Sequence, residues 1–433
     1  MSSPSDLQNL PQPAGFPHFH FVSGELHVES LALSTLAKQY GTPLYVYSRA
    51  AIGQAWQSYV NAIGSRRVLV CYGMKANSNL AILQEFARLG SGFDIVSDGE
   101  LARVLKAGGD AGKVVFSGVG KQAWEMEQAL AAGVKCFNVE SVAELHRLSD
   151  VASRMGRLAP VSLRVNPDVD AQTHPYISTG LKENKFGIAI ETASEAYQLA
   201  KSLPGVEVVG LDCHIGSQIT EVSPYLDALD KLIALIKELS GHGIHIKHLD
   251  LGGGLGIRYD DETPLDPSIL LNKVFARLDS FGLTHLELVL EPGRSLVGNA
   301  GVLLTEVQFL KPTADRSFAI VDAGMNDLMR PALYEAWHGV LPVRPRSDFA
   351  PTQWDVVGPV CESADWLAKG RMLAIEQGDV LAIESAGAYG FVMAGNYNSR
   401  PKAAEILVDG VEHHVIRERE TFEDLVRGEH LLR

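Results

Sequence analysis

The sequence predicts an α/β chain: a (β/α)8 TIM-type barrel followed by a C-terminal β-rich domain. Three observations carry this reading. Apolar, strand-like runs end near Lys75, Ser97, Ser117, Glu140, Pro167, Gly216, Gly253 and Glu291, and helical patterns separate them. After Gly298 that rhythm gives way to short β-type runs broken by Gly, Pro and Asp. Eight strand–helix alternations over roughly 220 residues match the count of such a barrel. An open doubly wound sheet is the alternative. It is disfavoured because the glycine-rich turn Gly252-Gly253-Gly254-Leu255-Gly256 comes late and does not fit GxGxxG.

The elements follow in order. Residues 1–17 are polar and Pro-rich, with neither the basic nor the apolar region of a signal peptide. Short strands are expected at 19–26 and 44–47, around a helix at 31–40. The run 68–75 has the length and composition of a buried strand, and the Asn77-Ser78-Asn79 cluster caps a helix at 80–89. Further helices are expected at 101–107, 124–132, 142–155, 193–203, 225–239 and 270–281. Ser97 with Glu100, Ser141 with Glu144, and Thr192 with Glu195 have capping-box spacing. Beyond 298, β-type runs fall at 302–310, 318–322, 355–357, 380–385 and 404–408. Asp409-Gly410 marks a hairpin turn into 411–416. The expected division is an N-terminal segment 1–36 that packs with the C-terminal β domain, a barrel 37–297, and a β-sandwich or β-barrel domain 298–433.

Composition narrows the function. With 46% hydrophobic and 21% charged residues over 433 positions, this is ordinary globular material, sized for one barrel and one smaller domain. The formal net charge of −14 argues against nucleic-acid or anionic-membrane partners, which need basic patches. Cys71, Cys136, Cys213 and Cys361 are scattered without a CxxC pair. Neither a disulfide framework nor a zinc site is expected, and a reducing cytoplasm suits them. No apolar run approaches a membrane span. His242, His245 and His248 straddle a helix end and the seventh strand with no carboxylates at ligand spacing, so no metal is expected.

Chemistry in such a barrel belongs at the C-terminal ends of the strands. Lys75, Asp94, His214 and Glu291 fall there. A lysine at the tip of a buried strand is expected to be desolvated, with a lowered pKa and a nucleophilic amine. Read alone, the same stretch fits a surface lysine closing a strand. The turns 252–256 and Glu291-Pro292-Gly293-Arg294 take the usual phosphate-binding position, where backbone N–H groups hold an anion. A lysine, a phosphate cup and an acid together suggest pyridoxal 5'-phosphate (PLP), with Glu291 paired to the pyridine nitrogen. Each residue keeps a plainer alternative: Asp94 as a helix-entry polar group, His214 as a core histidine, Cys361 as a small buried hydrophobe, Arg330 as a surface ion-pair partner.

The motifs Tyr72-Gly73-Met74-Lys75-Ala76-Asn77, His214-Ile215-Gly216-Ser217-Gln218, Gly252-Gly253-Gly254 and Glu291-Pro292-Gly293-Arg294 resemble the alanine-racemase-fold PLP-dependent decarboxylases. Within them the chain looks like the diaminopimelate decarboxylase family, through His174-Pro175-Tyr176, Lys185-Phe186-Gly187, the stretch 327–334, Cys361-Glu362-Ser363, Gly387-Ala388-Tyr389-Gly390 and the stretch 396–401. The likeness covers nearly the whole chain beyond its first thirty or so residues. Ala364 departs from the family's usual Gly, which removes no functional group.

The resemblance implies roles. Lys75 would hold PLP covalently, Asp94 would lie near it, and His214 would stack on the ring. Ser217, Gly253, Gly254, Gly293, Arg294 and Tyr389 would hold the phosphate. Arg294, Arg330 and Tyr334 would bind the distal carboxylate of the substrate, with Tyr389 close by, and Glu362 its distal amine. Cys361 and Glu362 would reach a neighbour's site in a homodimer. Racemases of this fold place an arginine at the ring nitrogen, so Glu291 favours decarboxylation. Either Cys361 or Lys75 could return the proton to the product. Relatives acting on ornithine, arginine or carboxynorspermidine remain the alternative activity, and a non-catalytic PLP-binding regulatory homologue the alternative class.

Overall fold

The computed structural model describes residues 11–170 and 185–432; the motif at 174–180 lies outside the described residues. The chain forms two compact units, one of residues 56–257 and 263–295, the other of the chain up to Ala55, residues 258–262 and everything from Leu296 on.

The first unit is the barrel. Its eight parallel strands are Val68–Gly73, Gly92–Ile95, Val114–Phe116, Cys136–Val139, Ala159–Asn166, Val206–Asp212, His248–Asp250 and Glu287–Leu290. Each pairs with the next, and Leu288 lies opposite Val68 to close the ring. Cys71, Val115, Cys136 and Val289 form one fully buried cluster among the strands. The strands stop one to four residues before the ends expected from sequence. The Gly and polar residues that finish each apolar run leave the hydrogen-bond ladder to make the strand-to-helix turns. Those turns carry most of the candidate residues.

Two caps form half as expected. Ser97 and Ser141 accept from the N–H groups of Glu100 and Glu144 at 3.3 and 3.2 Å. The reciprocal carboxylates reach one residue further back, to the N–H of Val96 at 2.7 Å and of Glu140 at 2.9 Å. The third is corrected. The helix begins at Ile190, and Thr192 sits in its first turn, donating to the Ala189 carbonyl.

In the second unit, the expected strand 19–26 is a hairpin, Phe19–Val22 with Glu25–Val28. It is broken where Ser23 and Gly24 take φ of 51° and 83°. The main sheet runs in the order Trp366–Leu373, Thr352–Val357, Phe318–Val321, Gly301–Lys311, Leu44–Ser48, Ala404–Asp409, Glu412–Arg417. Strand Leu44–Ser48 lies antiparallel to Gly301–Lys311 and parallel to Ala404–Asp409. That pairing is why this unit extends to Ala55, beyond the boundary at 36 drawn from sequence. The last hairpin pairs Asp409 with Glu412, so its turn is Gly410-Val411, one residue later than expected, with φ of 65° at Gly410. Among the described residues no helix is long and apolar enough to cross a membrane.

Candidate active site

Lys75 lies two residues past the first barrel strand, on the 3-10 turn Met74–Ala76. Its ammonium meets Asp94 Oδ2 at 3.4 Å. Asp94 belongs to the second strand, in register with Gly73. The expected desolvation of Lys75 is overturned: its side chain is 44% exposed, against 1% for Asp94. The strand ends at Gly73, and the turn carries the lysine out of the strand's packing. Pairing with a buried carboxylate, which favours the ammonium, takes the place of burial.

His214 follows the sixth strand by two residues and accepts the Gly253 N–H at Nδ1, 3.2 Å away. Burial, then the charges of Lys75 and Arg164, hold its pKa well below the ordinary value. A neutral ring that accepts at Nδ1 carries its proton on Nε2.

Four strand-end turns meet backbone to backbone here. A Cβ on Gly253 would stand 2.2 Å from the Glu291 carbonyl oxygen, and one on Gly293 would stand 2.8 Å from that of Gly73. Gly254 has φ of +101°, and a Cβ there would meet the Gly216 carbonyl at 2.4 Å. Glycine is what permits this approach. Arg294 opens the short helix Arg294–Val297 and donates from Nη2 to Ser217 Oγ at 2.9 Å.

Glu291 is buried at the end of the eighth strand and accepts from Asn138 Nδ2 at Oε1, 3.3 Å away. Burial first, then the charges of Asp250, Asp94 and Asp212, push its pKa well above the ordinary carboxylate range, while Lys75 acts in the opposite sense. Asp212, Asp250 and Glu291 each bring an oxygen within 4.8 Å of the others. The sequence reading missed Asp212, Asp250, Asn138 and Arg164. The available signal was an acid or amide near the end of an apolar run, as in Leu211-Asp212-Cys213-His214 and Leu249-Asp250-Leu251-Gly252.

The remaining candidates belong to the second unit. Arg330 opens helix Arg330–Tyr334, which ends on half-buried Tyr334. Its Nη1 donates to His338 Nε2 at 2.8 Å, and His338 Nδ1 donates to the Glu384 carbonyl at 2.7 Å. Its guanidinium carbon stands 4.5 Å from the Tyr259 ring centroid. These contacts fix a planar fork in place, so Arg330 is no surface ion-pair partner. Cys361 is exposed rather than a buried hydrophobe, and its N–H donates to Asn398 Oδ1 at 2.9 Å. Glu362 accepts the Tyr397 hydroxyl. Tyr389 holds φ of 55°.

A barrel that gathers a lysine, a buried acid and close-packed glycine turns at the C-terminal ends of its strands has the parts to hold a phosphorylated carbonyl cofactor. The family described as pyridoxal-dependent decarboxylase, pyridoxal binding domain, matches residues 49–298. The chain is 59% identical to the diaminopimelate decarboxylase of Pseudomonas aeruginosa, over 96% of its own length and 99% of that relative. Identity to the Vibrio cholerae diaminopimelate decarboxylase is 56%, over 93% and 96%. The crystal structure of diaminopimelate decarboxylase from Helicobacter pylori complexed with L-lysine matches with a TM-score of 0.87 at 44% identity, covering 91% of this chain and 98% of that one. The M. jannaschii enzyme in co-complex with L-lysine gives 0.91 at 38%, covering 96% and 99%. This chain belongs to the pyridoxal-dependent decarboxylases and, among them, to the diaminopimelate decarboxylase family.

Proposed function

We propose that the chain decarboxylates meso-2,6-diaminopimelate to L-lysine and CO2, the last step of lysine biosynthesis, using PLP. The observation that carries this reading is that Lys75 and the buried acid Glu291 stand just past the C-terminal ends of two paired strands of one barrel. The residues fit the cofactor. The glycine turns are too close-packed for any side chain, and their backbone, with Ser217 and Arg294, suits a phosphate, to which the family resemblance would add Tyr389. Glu291, crowded by other acids, is short of positive charge, which a protonated ring nitrogen supplies.

Lys75 would hold PLP through Nζ, with Asp94 beside it and His214 toward the ring. PLP supplies, when bound, an electron-poor ring that takes up the charge left at the α-carbon as CO2 departs. Glu291, as carboxylate, keeps a proton on the ring nitrogen. His214, neutral with its proton on Nε2, brings no charge of its own. Arg330 offers the substrate's distal carboxylate a fork already oriented by His338, with Arg294, Tyr334 and Tyr389 assisting and Glu362 meeting the distal amine. Lys75 Nζ and Cys361 Sγ are the groups able to deliver a proton to the α-carbon.

Single-turnover product analysis with diaminopimelate isomers tests the assignment. Stoichiometric CO2 and L-lysine from the meso isomer are expected. A PLP-loaded enzyme that leaves that isomer intact sinks it.

The same reading includes a cytoplasmic homodimer with shared sites, Cys361 and Glu362 serving the neighbour's barrel. Its support is the free thiol and carboxylate side by side on an exposed loop. Lys75→Ala and Cys361→Ala chains should each be nearly inactive alone. Mixed in equal amounts with random exchange, they should regain roughly a quarter of wild-type activity, because half the dimers then carry one intact site. Verified heterodimers that stay at background would show that Cys361 serves its own barrel or none.

A further inference from the structure

The floor of the barrel mouth holds more acid than its charges balance. Asp212 on the sixth strand lies in register with Arg164 on the fifth and Asp250 on the seventh. Glu291, just past the eighth, brings an oxygen within 4.8 Å of theirs, and Asp94 on the second strand adds its charge. The thiols of Cys71 and Cys136, on the first and fourth strands, sit in the same field and are themselves pushed up by burial and by these acids. Among the described residues, the positive charges there are Arg164, 3.0 Å from Glu140, and Lys75, 3.4 Å from Asp94. Both are thus shared with carboxylates.

A second observation is independent of that count. Asp250 is 0% exposed and Asp212 2%. Asp250 Oδ1 accepts the Gly252 N–H at 2.8 Å, but Oδ2, like Asp212 Oδ1, meets no donor among the described residues. Its carboxyl brings an oxygen within 4.8 Å of an oxygen of Glu291. Two acceptors cannot bond unless one carries a proton, and a buried acceptor without a donor is costly.

We infer that Asp250 and Glu291 act as one carboxyl–carboxylate pair that holds a single shared proton at neutral pH, with Asp250 the positioning residue behind the ring-facing acid. The proton belongs to the pair rather than to either residue. Burial raises both groups, Asp250 to about 7. The pair's O–H holds the Glu291 carboxylate in place while Asn138 binds its other side. This consequence for Glu291 rests on the function proposed above; the proton itself does not.

The test is infrared spectroscopy and thermal unfolding of the PLP-loaded enzyme, neither of which reads turnover. Asp250→Asn keeps the shape, the acceptor for Gly252 and a donor toward Glu291, but removes the shared proton. The wild type minus Asp250→Asn difference spectrum at neutral pH should contain a deuterium-sensitive protonated-carboxyl band. A folded-state pKa raised above the unfolded value makes stability fall as pH rises through it. The wild-type midpoint should therefore drop relative to Asp250→Asn from mildly acid to alkaline pH, and the two should converge in strong acid. Asp250→Leu, which has no donor, should retain at least roughly tenfold less kcat than Asp250→Asn, with KM little changed. A difference spectrum without a carboxyl band, or parallel midpoint curves, would overturn the shared proton. Equal kcat in the two variants would overturn the positioning role.

Discussion

Lys75→Ala should cut turnover by at least roughly a thousandfold, about 4 kcal/mol of barrier. The size follows from what that one amine does in the proposed reading. It would hold the cofactor through Nζ and be able to move a proton at the α-carbon. The protein should fold normally, because the side chain is 44% exposed and its ion pair with Asp94 spans 3.4 Å. Steady-state assays on protein of unchanged unfolding midpoint check this. Near-native turnover would remove Lys75 from the chemistry.

Glu291→Gln should slow CO2 release by roughly a hundredfold, about 2.7 kcal/mol, because an amide cannot keep the ring nitrogen protonated. PLP should stay bound, since the glycine turns and Arg294 are untouched. Stability should move the other way. The acid's folded pKa is raised, so its ionised form is penalised at neutral pH, and the glutamine removes that penalty. An unfolding midpoint of the PLP-free protein at neutral pH no lower than wild type, with full PLP occupancy after loading and depressed turnover, is the expected signature. Unchanged turnover at full occupancy would contradict the role.

The barrel was legible because most strands are short apolar runs closed by polar or glycine residues, and the helices between them show their own period, several with a cap. The short strand Val340–Pro342, in the other unit, was not seen, nor was Trp366–Leu373, whose centre reads Lys369-Gly370-Arg371. Those residues look like a turn, and Lys369-Gly370 does form a bulge, with φ of 66° at Gly370, but the ladder with Thr352–Val357 resumes on either side of it. At the mouth, the positions of Lys75, Asp94, His214 and Glu291 could be read from where the runs end. The electrostatics of Lys75 could not, because they depend on the chain leaving the strand at Gly73. Asp212 and Asp250 carried only an ambiguous signal, for a related reason. An aspartate near the end of an apolar run reads as a turn residue, and only ring closure sets the two side by side.

Strand Leu44–Ser48 also sets an order of events on the ribosome. Its pairing partners, Gly301–Lys311 and Ala404–Asp409, are made long after it. At about 5–20 residues per second, the second partner emerges on the order of 20 to 70 seconds later. The barrel strands, all encoded in between, can close on themselves during that interval. Throughout it a segment destined for full burial, Leu44, Tyr45, Val46 and Tyr47, waits with both hydrogen-bonding edges open. That nascent segment is where a slowed or truncated synthesis would first expose the chain to aggregation or chaperone capture.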